Sequence, residues 1–105
     1  MKLRTVLLLM LLPVTGSAQL QFQTGNQLKE TCDAQDPASS MYCMGYISGV
    51  NDSNSFKICM PARGTQGQMK EIVKKFLSEN PQSLHSDADT LVFRALQQAF
   101  PCPKR

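Results

Sequence analysis

From Met69 onward the apolar residues Ile72, Val73, Phe76 and Leu77 fall at the i, i+3, i+4, i+7, i+8 spacing of one helix face, while Lys70, Glu71, Lys74, Lys75 and Ser78 occupy the other. Thr65 followed three residues later by Gln68 has the form of a capping box ahead of this stripe, and Asn80 with Pro81 stops it. A second stripe, Leu91, Val92, Ala95, Leu96, Ala99 and Phe100, predicts a last helix capped by Ser86 and ended by Pro101. Asp87 and Asp89 then fall in its first turn, where the helix dipole favours acid.

The stretch Met41–Asp52 carries Cys43, Tyr46, Ile47 and Val50 at helical spacing and reads as the central helix, running from about Ser39. Gly45 and Gly49 lie inside it, and each costs about 1 kcal/mol relative to Ala in a helix interior. Close approach of a neighbouring helix is the expected return, with a bend at a binding surface as the alternative. Upstream, Thr24 and Gln27 form another capping box, so a first helix starts near Gly25, carries Leu28 and Cys32 on one face and ends before Pro37. After the central helix, Asn51-Asp52-Ser53-Asn54-Ser55 is expected to fray into a loop, because such side chains compete for the backbone. Phe56, Ile58 and Met60 alternate with Lys57 and Cys59 in a short extended segment, too short for a sheet of its own. The fold class is therefore all-α, a small disulfide-stabilised bundle of about four helices, whose core should include Leu28, Ile47, Val73, Phe76, Leu91 and Leu96.

Residues 1–18 do not fit that bundle. Lys2 and Arg4 precede an apolar run from Val6 to Val14, and Gly16-Ser17-Ala18 has the small residues of a signal-peptide cleavage site. The run is about half the length a transmembrane helix needs, and no Cys stands at position 19, so neither a membrane anchor nor a lipid anchor is expected. Residues 19–105 are the mature domain on this reading, exported to the periplasm.

Export changes the charge argument. Of 11 basic residues, Lys2 and Arg4 leave with the signal peptide, so nine remain against eight acidic ones and the mature chain is nearly neutral. The one dense basic cluster, Lys70, Lys74 and Lys75, is interleaved with Glu71, which stands in favourable i, i+4 order to Lys75. It reads as a solvated helix face, and no nucleic-acid partner is expected.

An oxidising compartment makes the four cysteines, Cys32, Cys43, Cys59 and Cys102, disulfide candidates. If the first two helices form an antiparallel hairpin, Cys32 at the end of one faces Cys43 near the start of the next. If the last two also lie antiparallel, Cys59 and Cys102 come to one end, which predicts Cys32–Cys43 and Cys59–Cys102. A metal site is not expected, since there is no Cys-x-x-Cys pair and the one histidine, His85, stands away from ligand spacing. Catalysis is not expected either: His85 sits in a connection, Asp87 and Asp89 are two apart on a helix and face apart, and no phosphate loop or nucleophile elbow occurs. No cofactor follows from the chain.

Four motifs in order carry a resemblance. They are Gly25-Asn26-Gln27-Leu28; Cys43-Met44-Gly45-Tyr46-Ile47-Ser48-Gly49-Val50-Asn51-Asp52; Cys59-Met60-Pro61; and Phe100-Pro101-Cys102-Pro103. With their cysteines in register, they resemble the Rap/Tai family of small periplasmic immunity proteins. The resemblance implies an all-helical, disulfide-stabilised domain. Better-known members neutralise peptidoglycan amidase toxins delivered by type VI secretion, and some act as dimers. It therefore implies a cognate secreted toxin as partner and allows a homodimer. A general periplasmic chaperone or stress-response binding protein, holding clients on exposed apolar surface, is the alternative.

An inhibitor needs a stable scaffold and a protruding surface. With the helix stripes committed to the core, two connections are the expected partner-binding elements. Asn51, Asn54 and Ser55 are polar and short, suited to hydrogen bonding within a cleft. Gln82, Ser83, Leu84 and His85 follow Pro81, with Leu84 expected as an apolar anchor.

Overall fold

The computed structural model describes residues 22–104. The expected signal peptide and its cleavage point lie outside the described residues. Four helices occur in chain order: α1, Gly25–Asp33; α2, Pro37–Ser53; α3, Gln66–Glu79; and α4, Ala88–Ala99. Every pair of them is in contact, and a single 3₁₀ turn, Pro81–Ser83, lies between α3 and α4.

Both capping boxes form. The Gln27 amide donates to Thr24 Oγ1 at 3.3 Å while Thr24 N donates to Gln27 Oε1 at 3.0 Å, and Gln68 with Thr65 repeats the pattern at 3.2 and 2.9 Å. Each box satisfies two amides that a helix start leaves without intrahelical partners. α2 begins two residues earlier than expected: Asp36 caps it by accepting from Ser39 N at 2.9 Å, and Pro37 takes the first helical position, where its missing N–H is no loss. The expected cap of α4 also shifts. Asp87 occupies the N-cap, while the Ser86 carbonyl accepts from Gly25 N at 2.9 Å.

The run expected to fray after the central helix stays helical through Ser53. Ser53 Oγ donates to the Gly49 carbonyl and Asn54 Nδ2 to the Val50 carbonyl, each at 2.7 Å, so these side chains satisfy the last-turn carbonyls and finish the helix instead of breaking it. The extended segment that follows is shorter than its alternation suggested. Asn54–Lys57 is a turn, and only Ile58 pairs, as an isolated antiparallel bridge to Pro101.

Leu28, Ile47, Leu77, Val73, Leu91, Val92 and Leu96 make a fully buried centre, with Phe76 half-buried against it. The Cys32–Cys43 disulfide lies inside this core, and Cys59–Cys102 ties the segment after α2 to the segment after α4. Closing loops of 11 and 43 residues, they restrict the unfolded chain by about 3 and 4 kcal/mol. That is a large share of the total for so small a domain, since folded proteins hold only about 5–15 kcal/mol of net stability.

The α3–α4 connection is part of the packed body. Gly25 N donates to Ser86 O, Asn26 N to Leu84 O and Ala88 N to Gln23 O, at 2.7 to 2.9 Å, and Thr24 bridges to Asp87. The start of α1 is thereby bonded to the entry of α4. On α3, Lys75 reaches Glu79 at 4.0 Å in place of the expected Glu71 partner, and Lys70 Nζ donates to Ser40 Oγ at 2.8 Å. Lys70 thus links α3 to α2, so the lysine cluster is not wholly a solvated face.

Candidate functional site

The two expected recognition segments do not come together. The 80–87 connection leads into α4, whereas the Asn54–Lys57 turn lies beside Pro101 and Cys102, past its far end. A helix of 12 residues separates them by about 18 Å.

Their residues also differ in availability. Ser55, Gln82 and His85 are exposed and Ser83 is half-buried, while Gln82 Nε2 donates to Asn80 Oδ1 at 3.3 Å. Leu84 is only 8% exposed and joins the core. It is held there by the Asn26 N–H bond to its carbonyl, so the apolar anchor expected of this connection is a packing residue. Asn51 is half-buried within α2, and its Oδ1 is buried without a hydrogen-bond partner among the described residues.

The exposed apolar surface lies elsewhere. Met41 and Tyr42 at the start of α2 are 69% and 52% exposed, and Phe56 in the turn after it is 72% exposed, with Lys57 Nζ 5.4 Å above its ring. The Tyr42 hydroxyl donates to Gln23 Oε1 at 3.1 Å, and its ring stacks on Tyr46 at 6.3 Å between centroids. Helical periodicity did not mark these residues, because Tyr42 lies off the α2 stripe and Phe56 falls in the short alternation read as an extended segment.

Between the two ends of this surface runs a groove of about 600 Å³ along α2 and α4. The helices run in the same direction: Tyr42 bonds to Gln23, whose carbonyl accepts from the first amide of α4, while past both helix ends Ile58 pairs with Pro101. Gly45, Gly49 and Val50 line the α2 side, Tyr46 and Phe93 provide aromatic walls, and Asp89 and Thr90 form the α4 rim. A β-carbon on Gly45 or Gly49 would have nothing within 4 Å. The close helix approach expected over these glycines is therefore absent, and they open the groove instead. The fold itself gets no packing return for two residues that each cost about 1 kcal/mol in a helix.

Most polar side chains of the groove are engaged with the protein itself. Ser53 and Asn54, at its far end, donate back to α2 carbonyls, and Thr90 N donates to Asp89 Oδ1 at 2.8 Å. Asp89 Oδ2 has no partner among the described residues, and none of the described lining residues is cationic. Burial pushes the Tyr46 phenol pKa up, and the negative charge of Asp89, then Tyr42 and Asp87, adds to it. The result is an apolar trough with one charged side chain, the Asp89 carboxylate, on its rim.

Among the described residues, no helix is long and apolar enough to cross a membrane. Residues 24–102, spanning all four helices, both disulfides and the groove, match the family model described as Rap1a immunity proteins. A search among curated proteins finds no match.

Proposed function

The chain belongs to the Rap1a immunity proteins, and on that footing we propose that it protects its producer by binding and inhibiting a peptidoglycan amidase delivered by type VI secretion, without catalysis of its own. The family match over residues 24–102 is the observation that carries this reading. Two supports stand beside it. The two disulfides suit an oxidising compartment such as the periplasm, and residues 1–18 have the organisation of a cleaved signal peptide.

Recognition on this proposal uses residues at the ends of α4: exposed Ser55 and Phe56 with half-buried Asn54 at one end, exposed Gln82 and His85 with half-buried Ser83 at the other. Phe56 takes the anchoring part for which Leu84 is too buried. A rigid turn carrying an aromatic side chain loses little entropy on binding, which favours tight inhibition of a cleft. Association of two copies is a second expectation, carried by the resemblance alone.

The test is protection. Cells exporting a cognate peptidoglycan amidase should survive when the full chain is co-expressed and lyse when residues 1–18 are deleted, because only the exported protein meets the toxin. Equal survival without the leader, or lysis in both cases, overturns the proposal. Suppression of aggregation of unrelated unfolded proteins, without protection, would favour the chaperone reading.

A further inference from the structure

The α2–α4 groove has a composition that selects its occupant. Its two glycines clear space that no described residue fills, and Val50 with Phe93 makes the trough apolar. Ser53, Asn54 and Thr90 each turn a donor toward the protein itself, and the one charged group on the lining is Asp89, whose Oδ2 has no partner among the described residues and which shares the groove with the Tyr46 ring. An acidic group would meet like charge here. A group with an apolar stem, a flat cationic head and several donors meets complementary surface throughout.

We propose that the groove receives an arginine side chain presented by the partner protein, its methylene stem over Gly45 and Gly49, its guanidinium donating to Asp89 and stacked on Tyr46. Arginine fits better than lysine because its planar head can stack on an aromatic face and donate to a carboxylate at once. Asp87, next to the rim, adds to the attraction without contributing to the lining. The volume of about 600 Å³ exceeds that of one side chain and leaves room for the flanking backbone of the partner. The assignment rests on the partner-binding reading above, and it deepens that reading by naming the chemistry of the segment bound.

The experiment needs no toxin, so the two readings can fail separately. The protein with both disulfides intact is titrated with acetyl-Leu-Arg-Leu-amide, and with its Gln and Glu counterparts, while backbone amide shifts are followed by NMR. The Gly45 and Gly49 amides are isolated reporters within the groove. Saturable shifts of both by the arginine peptide are expected, with binding weakened about three- to tenfold in Asp89→Asn, in the Gln peptide and at high salt. A spectrum of Asp89→Asn unchanged outside the groove establishes that its fold is intact. Equal shifts from the Glu or Gln peptide, affinity untouched by Asp89→Asn, or shifts that spare both glycines would overturn the assignment. Failure of protection in the toxin assay with the arginine response preserved would instead count against the immunity reading.

Discussion

Gly25 stands so close to Leu84 that a β-carbon added to it would lie 2.9 Å from the Leu84 carbonyl oxygen, the same oxygen that accepts from Asn26 N at 2.9 Å. The added carbon would also press on the Leu91 side chain. Here a glycine lets two segments of backbone meet.

The glycines of this chain should therefore respond to one substitution with opposite signs. Gly25→Ala forces the bonded seam between α1 and the α4 entry apart and is expected to lose about 1–3 kcal/mol. Gly45→Ala and Gly49→Ala meet open space and should gain up to about 1 kcal/mol each from helix propensity. Urea unfolding of the three variants with disulfides intact decides the matter. A loss at Gly45 or Gly49 comparable to that at Gly25 would mean that α2 is covered in solution.

Leu84 is a folding residue, so its substitution cannot report on recognition. Leu84→Ala should lower stability by about 2–5 kcal/mol, as expected for an emptied core site. Gln82→Ala and His85→Ala, on exposed positions two residues and one residue away, should stay within about 0.5 kcal/mol of the parent. Thermal melts of the three proteins would show the split, and a mild Leu84→Ala would place that side chain outside the core.

The two disulfides should differ in reactivity. Cys32 and Cys43 are 1% and 0% exposed, whereas Cys59 is exposed and Cys102 half-buried. Exchange requires a thiolate to reach a sulfur. Under mild reductant at neutral pH, timed alkylation and peptide mass analysis should find Cys59 and Cys102 labelled together before Cys32 and Cys43. Simultaneous labelling would instead indicate reduction through global unfolding.

The α2 cap should show in acid. Hydrogen bonds from Ser39, the backbone amide above all, hold the Asp36 carboxyl below its ordinary value. A carboxylate lowered on folding contributes stability that is complete above its unfolded pKa, about 4, and is lost as pH falls through the folded value. Asp36→Ala should thus melt below the parent by a constant margin from pH 7 to about 5, and the margin should shrink as the solution is acidified further. A margin that persists unchanged at pH 2 would show that the charge of the cap contributes nothing.

What the chain determined by itself was local. Thr24 with Gln27 and Thr65 with Gln68 specify helix starts because the capping partners are three residues apart, and the stripes from Met69 and Leu91 specify buried faces because 3.6-residue periodicity does not depend on distant partners. Cys32–Cys43 and Cys59–Cys102 were legible too, since antiparallel packing of successive helices brings each pair to one end. Only the tertiary structure decided how the remaining surface is used. Spacing places Gly45 and Gly49 on one face of α2, but whether another helix covers that face depends on where α4 is held, and the bonds from Gly25 and Asn26 to Ser86 and Leu84 help to set that. The same bonds draw Leu84 into the core, from a connection with no period to reveal it. Periodicity tells which residues share a face; the long-range placement of the helices tells whether that face is filled or open, and here it leaves the α2–α4 groove open.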